Sequence, residues 1–171
     1  DTSKKVLADL EPVFDAKGSV TAGTSSPLTD GASAVLVVAE EYADKYKLPK
    51  LARIKSFAVA GCAPEIMGIG PVHATRKALK RANLKIEDID IIELNEAFAS
   101  QSIACIQELG LDESKINIDG GGIAIGHPLG ATGARITGKA ASLLKREGKR
   151  YALATQCIGG GQGIATILEA I

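Results

Sequence analysis

Two spacings of apolar residues alternate along the chain. Helical intervals recur in residues 71–82, 95–109 and 132–146, whereas nearly continuous apolar runs occupy 33–39, 51–60, 89–94, 151–158 and 164–168. The first kind predicts amphipathic helices and the second buried strands. A shorter amphipathic helix is expected over 2–14, with Val6, Leu7 and Leu10 on one side, and a charged one over 40–47, ended at Leu48-Pro49. A strand edge is expected at 19–21. Residues 21–31 and 120–130, rich in Gly, Ser, Thr and Pro, read as loops. Pro71 suits a first helical turn, where its missing N–H costs least. Asn95 suits an N-cap, and Gly110 and Gly148 suit C′ positions. Phe98, Ser102, Cys105, Ile106 and Leu109 then share the inner face of one helix, and Ile136, Ala140, Leu143 and Leu144 that of another. Strands alternate with helices until a closing strand pair. This predicts a layered α/β domain with a mixed, five-stranded-type sheet.

Composition narrows the function classes. At 171 residues, 46% of them hydrophobic, the chain can bury a sizeable core. Lys plus Arg and Asp plus Glu both number 20, so net charge points to neither nucleic acid nor an anionic membrane. No apolar run approaches the ~20 residues of a spanning helix. Cys62, Cys105 and Cys157 form no Cys-x-x-Cys pair, which argues against a disulfide framework or a zinc site and for a reducing compartment. The opening Asp-Thr-Ser-Lys-Lys, without Met or a signal-like segment, reads as the interior of a longer protein.

Candidate chemistry concentrates in glycine-rich stretches. His127 lies in Gly-Gly-Gly-Ile-Ala-Ile-Gly-His-Pro-Leu-Gly, and Cys157 opens Cys-Ile-Gly-Gly-Gly-Gln-Gly. Imidazole and thiol both exchange protons near neutral pH. Glycine lets a substrate approach the backbone closely. His127 can act as general base toward a thiol or donate to an oxyanion. Cys157 reads either as an exposed, reactive group in a bend rich in N–H donors or as a buried free thiol before a hairpin, and the backbone N–H of Gly159 can donate to an oxyanion. Asn95, in Asn-Glu-Ala-Phe, reads either as an N-cap or as an amide holding a water or carbonyl oxygen, with the cap preferred on this motif alone. Glu96 suits the first turn of the helix dipole. Phe98 reads as core or as a tunnel wall. His73, Cys62 and Cys105 carry less. Gly133 to Lys139 mimics a phosphate-binding loop, but Ala140 replaces the hydroxyl that reaches magnesium. Neither glycine cluster fits the dinucleotide fingerprint, because positions 125 and 164 are Ile.

Together, Asn95-Glu-Ala-Phe, Gly126-His-Pro-Leu-Gly-Ala-Thr-Gly-Ala-Arg and Cys157-Ile-Gly-Gly-Gly-Gln-Gly resemble the thiolase family in order and spacing. Val20-Thr-Ala-Gly with Ser26 and Asp30-Gly-Ala resembles the family's loop that contacts coenzyme A. Met67-Gly-Ile-Gly-Pro resembles a segment near its substrate. The resemblance covers essentially the whole chain. It implies the thiolase fold, layered α-β-α-β-α from two similar halves. Residues 1–47 would end the N-terminal domain and 48–171 would form the C-terminal domain. It implies acyl transfer between coenzyme A thioesters, as in fatty-acid breakdown: thiolytic cleavage of a 3-oxoacyl-CoA, or the reverse Claisen condensation. Asn95 (through a water) and His127 would form one oxyanion hole, Cys157 would exchange the alpha proton, and the N–H of Gly159 would serve a second hole. Ser26, Met67, Ala97 and Phe98 would contact substrate. Coenzyme A is a substrate, and no cofactor or metal is implied. A homodimer or homotetramer, in cytoplasm or organellar matrix, is expected of the intact enzyme.

The family's nucleophile is a second cysteine in the N-terminal half, and none of Cys62, Cys105 and Cys157 sits in its pattern. The chain alone is therefore expected to be inactive. Thr24, His73 and Asp119 replace the family's more common Asn, Pro and Asn. A non-catalytic module that binds coenzyme A is the alternative. A ketosynthase-type condensing enzyme is disfavoured by the Cys-Ile-Gly-Gly-Gly block.

Overall fold

The computed structural model describes residues 2–171. Its elements are α1 (Lys4–Ala8), α2 (Glu40–Lys45), β1 (Arg53–Gly61), α3 (Gly70–Ala82), β2 (Ile91–Leu94), α4 (Ala99–Leu109), α5 (Gly122–Ile125), α6 (Leu129–Glu147), β3 (Tyr151–Ile158) and β4 (Gln162–Glu169). The four strands form one open sheet in the order β1-β4-β3-β2. β2 pairs parallel to β3, and the other pairs are antiparallel. The sheet is mixed, with four strands instead of five. The fifth position, beyond β2, holds only a parallel bridge between Ile92 and Ile116.

Strand periodicity explains the layers. Successive side chains point to opposite faces. Ile92, Leu94, Leu153 and Ile167 join Val72, Ala78 and Leu79 of α3 and Cys105 and Leu109 of α4 in one core. Ile91, Ala152, Ala154 and Leu168 join Ile136, Ala140, Leu143 and Leu144 of α6 in a second core. The inward face expected of α6 is therefore observed, and that of α4 from Ser102 onward, with Phe98 half-buried ahead of the helix. β2 is buried on both faces, as its nearly continuous apolar run predicts, with Glu93 buried among the apolar side chains. On the open edge of β1, Lys77 and Arg81 from α3 donate to the carbonyls of Val59 and Phe57. These cations occupy acceptors that would otherwise be free to pair with another strand.

Several elements depart from expectation. The helix expected over 2–14 shrinks to α1, capped by Ser3, whose Oγ accepts from the Val6 N–H. Only two of its expected apolar contacts form: Leu7 and Leu10 close over Gly23, while Val6 stays exposed. Residues 33–39 form no strand. Leu36 and Val37 there are 77% and 67% exposed. A continuous apolar run makes a strand only when a neighbour pairs with its backbone, and no described strand does so. Residues 19–21 contribute a single bridge, Pro12 to Thr21. The stretch 120–130 is not all loop, since α5 lies within it and α6 starts at Leu129, earlier than expected. The phosphate-loop mimic from Gly133 to Lys139 lies inside α6.

Candidate active site

The site lies at the carboxyl ends of the parallel pair. Asn95 follows β2, and its backbone N–H donates to the Thr155 carbonyl at 3.0 Å, extending the ladder one step. Two residues past Thr155, at the end of β3, stands Cys157. Side chains at strand ends are held by the sheet while the loops beyond them remain free to carry a ligand.

Asn95 does not cap α4. The helix begins at Ala99, and Phe98 occupies the N-cap position without a side-chain cap bond. Asn95 is instead 1% exposed, and neither its amide nitrogen nor its oxygen has a hydrogen-bond partner. An unpaired buried amide costs roughly 1–3 kcal/mol. A water or a ligand oxygen at the amide would satisfy it. Glu96 likewise lies outside the first helical turn. Its carboxylate accepts from Asn117 Nδ2 at 2.6 Å and from the Ile123 N–H at 3.1 Å.

His127 is set by glycine and by threonine. Gly126, at φ +97°, turns the chain out of α5, and its N–H donates to Gly122. The imidazole Nδ1 lies 2.7 Å from Thr132 Oγ1 in the first turns of α6. Thr132 Oγ1 is also 3.0 Å from the Pro128 carbonyl. With its proton donated there, the hydroxyl accepts from Nδ1–H and leaves the Nε2 lone pair free. Burial, and then the positive charge of Arg135, lower the proton affinity of His127. The ring is therefore neutral at pH 7.

Residues 25–33 run beside this loop. The Ser26 N–H donates to the Ala97 carbonyl at 3.0 Å, Ser25 bridges to Phe98, and Phe14 stacks edge-on to Phe98 at 6.3 Å. Further along, Thr29 closes on Gly126, Gly31 on Pro128, and Ser33 Oγ donates to the Ala131 carbonyl. Ser26, Ala97, Phe98 and the His127 loop are thus brought into one neighbourhood.

Cys157 is 9% exposed, which matches the buried thiol before a hairpin and not the exposed bend among its two sequence readings. Burial pushes its thiol upward, so it carries its proton at neutral pH. Its strand partner is Gly163, and Gly163 packs so tightly on Gly70 that a Cβ on either would overlap backbone. That contact brings the 3-10 turn Pro64–Ile69, with Met67, to the same end of the sheet. Cys105 Sγ pins the turn by donating to the Gly68 carbonyl at 3.3 Å, and Cys62 Sγ lies 3.8 Å from the Ile66 carbonyl. Gly159 opens the exposed turn after β3. Among the described residues no hydrogen bond joins Asn95, His127 and Cys157 directly. Asn95 and Cys157 stand at the same end of the parallel pair, and Gly122, five residues before His127, approaches Asn95 so closely that a Cβ would lie 3.2 Å from Oδ1.

Sequence reasoning missed Asn117 and Thr132. Asn117 sits at φ +46°, a conformation asparagine tolerates, and its side chain pairs with both the N–H and the carbonyl of Leu94. An Asn just ahead of a glycine run was the available signal. Asp119, whose influence the sequence left open, accepts from Arg146 through both oxygens (2.6 and 2.8 Å) and from Lys139. These cations hold its carboxyl well below the usual carboxylate range. No cluster of His, Cys, Asp and Glu suited to a metal occurs among the described residues, and no helix is long and apolar enough to cross a membrane.

Comparison with known proteins identifies the family and the fold. Residues 48–170 match the family model for the thiolase C-terminal domain, and residues 1–41 match that for the thiolase N-terminal domain. The 3-ketoacyl-CoA thiolase of Vibrio parahaemolyticus is 57% identical over 99% of this chain and 44% of the relative, and that of Shewanella loihica is 58% identical over 99% and 45%. The chain thus spans less than half the length of these relatives. The crystal structure of human mitochondrial 3-ketoacyl-CoA thiolase in complex with CoA superposes with a TM-score of 0.94 at 46% identity, covering 100% of this chain and 43% of that one. That of the Bacillus anthracis acetyl-CoA acetyltransferase superposes at 0.96 with 49% identity, covering 100% and 43%.

Proposed function

Because the chain belongs to the thiolase family, we propose that it supplies the proton-transfer and oxyanion half of an acyltransferase that cleaves 3-oxoacyl-CoA with coenzyme A, or runs the reverse Claisen condensation. Coenzyme A is a substrate in this reading. The nucleophilic cysteine comes from the part of the family that this chain does not span, so the chain alone does not turn over.

The observation that carries the reading is the buried Asn95 amide with both ends unpaired, in a chain that also holds a neutral His127 imidazole and a protonated Cys157 thiol on the segments next to it. Breaking a carbon–carbon bond next to a ketone demands those three properties. His127 Nε2 takes the proton of the nucleophilic thiol, and the thiolate attacks the 3-keto carbon. The C2–C3 bond then breaks, leaving an acyl-enzyme and the enolate of acetyl-CoA. The now protonated His127 and a water on Asn95 stabilise the enolate oxygen. Cys157 delivers its proton to C2, releasing acetyl-CoA. The Cys157 thiolate then takes the thiol proton of incoming coenzyme A, whose sulfur attacks the acyl-enzyme; the shortened acyl-CoA leaves, and the expelled nucleophile thiolate recovers its proton from His127. The Gly159 N–H donates to the thioester oxygen at that stage. Ser26, Met67, Ala97 and Phe98 line the approach. A homodimer or homotetramer in the cytoplasm or an organellar matrix completes the proposal.

The test is coenzyme A-dependent loss of acetoacetyl-CoA with the full-length protein. Cleavage that disappears in Cys157→Ala is the expected result. Binding of coenzyme A without cleavage makes the protein a scaffold and refutes the reading. The 171-residue chain incubated with radiolabelled acetyl-CoA should trap no acyl-enzyme. A label retained on it places the nucleophile within these residues and overturns the assignment.

A further inference from the structure

Glu96 lies between Asn95 and the Ala97 backbone that meets Ser26, yet its side chain turns the other way. One carboxylate oxygen accepts from Asn117 Nδ2 at 2.6 Å and the other from the Ile123 N–H at 3.1 Å. Ile123 is in α5, the short helix that ends at Gly126 and hands the chain to His127. Asn117 is itself anchored. Its side-chain amide pairs with both backbone groups of Leu94 at 2.8 and 3.0 Å, and its N–H donates to the Ile92 carbonyl at 2.8 Å. The carboxylate therefore holds Asn117, itself tied to the end of β2, through one oxygen and the helix before His127 through the other.

The glycines of the loop are shaped to this arrangement. A Cβ at Gly121 would overlap the Glu96 carboxylate and lie 2.5 Å from Asn117 Nδ2, and one at Gly122 would lie 3.0 Å from the Glu96 carbonyl oxygen and 3.2 Å from Asn95 Oδ1. Gly121 and Gly122 are both buried. The loop has room for the carboxylate and the amide because those two side chains are absent. Four acceptor sites on a carboxylate with two fixed N–H donors set a distance, not merely a direction.

We propose that Glu96 is a positioning residue: its two-point grip on Asn117 and Ile123 sets the separation of the His127 loop from Asn95, and hence the width of the oxyanion site between them. The chemical part of this inference rests on the thiolase reading above, whereas the loop part does not. A carboxamide is the informative replacement. It keeps the volume and can still accept from Asn117, but it presents an N–H group to the Ile123 N–H. A shift of several tenths of an ångström between the two groups is enough to disrupt an oxyanion site, and removing one oxyanion donor costs ~10²–10³ in turnover.

The experiment compares full-length wild type, Glu96→Gln and Asn117→Ala by backbone amide exchange and by steady-state cleavage of acetoacetyl-CoA. In Glu96→Gln, exchange across residues 121–127 should accelerate at least tenfold while the sheet strands keep their protection. Turnover should fall ~10- to 100-fold with KM within about twofold. Asn117→Ala should show the same exchange pattern, because it removes the same anchor from the other side. Unchanged exchange at Ile123 in Glu96→Gln overturns the positioning role whether or not the enzyme is active. Faster exchange with unchanged turnover removes the catalytic consequence. A wild type that cleaves no 3-oxoacyl-CoA refutes the functional reading separately, and the exchange data then judge the clamp on their own.

Discussion

The two glycine-rich segments of this chain look alike in sequence and are opposite in structure. In residues 120–126, Gly121, Gly122 and Gly126 are buried against Glu96, Asn95 and Thr29, with no space for a side chain. In residues 159–161, Gly159 and Gly160 have nothing within 4 Å of a would-be Cβ, and only Gly161 is crowded, by Cys62 and Pro64. The first segment is glycine because other groups must come close. The second is glycine because the hairpin needs φ of +84° and +88° at Gly160 and Gly161 and leaves its backbone open. The difference separates a packed wall, which holds His127, from an open rim, which follows Cys157.

The largest effects should come from the reactive groups on each segment. Cys157→Ala and His127→Ala are each expected to lower turnover of the full-length enzyme ~10²–10⁴-fold, with thermal midpoints close to wild type. The double variant should be little worse than either single one, because groups in one reaction path are not additive. Strict additivity would separate the two segments into independent sites. The same pair sets the pH profile of kcat/KM. His127 must be neutral and is harder to protonate than an ordinary imidazole, so the acid limb should fall below pH ~6.5. Cys157 must keep its proton and is held above an ordinary thiol, so the alkaline limb should lie above pH ~9. An acid limb at pH 7 or higher would contradict the first assignment.

The glycines themselves provide the next test. Gly121→Ala should destabilise the protein by about 1–3 kcal/mol, the usual range for overpacking, because a methyl group there overlaps a carboxylate fixed at both oxygens. Gly159→Ala should stay within about 0.5 kcal/mol in urea unfolding. Equal costs at the two positions would erase the distinction between wall and rim.

A comparable but pH-dependent effect is expected behind the wall, on β2. Glu93 is 1% exposed, and burial pushes its carboxyl up to about 7, against the pull of Arg135 and Lys139. A raised carboxyl favours folding while protonated. That contribution is complete below pH ~4.5 and is lost as pH rises through about 7. Glu93→Gln should therefore be near neutral at pH 5 and stabilising by on the order of 2 kcal/mol at pH 8. Urea midpoints at the two values decide it. Equal midpoint changes at both would mean that Glu93 is ionised throughout.

Particular residues show how much of this was legible. β2, β3, β4, α3 and the inner faces of α4 and α6 follow from local apolar spacing, because each element buries the face that its own sequence makes apolar. Residues 33–39 carry the same local signal as β2 and form no strand, because pairing is a property of two segments. Cys157 and His127 stood out through their glycine surroundings. For Asn95 the motif alone favoured the cap over the ligand-holding amide, since Asn-Glu-Ala-Phe says nothing of where α4 starts, and Phe98, not Asn95, precedes the first helical residue.

The chain by itself determined most of its helices and sheet strands, its mixed α/β class and the three motifs that place it in the thiolase family, because periodicity and motif order are one-dimensional. Only the tertiary structure decided that Asn95 is left unpaired, that Asn117 and Glu96 bind the loop before His127, and that one glycine segment is wall and the other rim. Those are distances between residues twenty or more positions apart, and no local spacing encodes them.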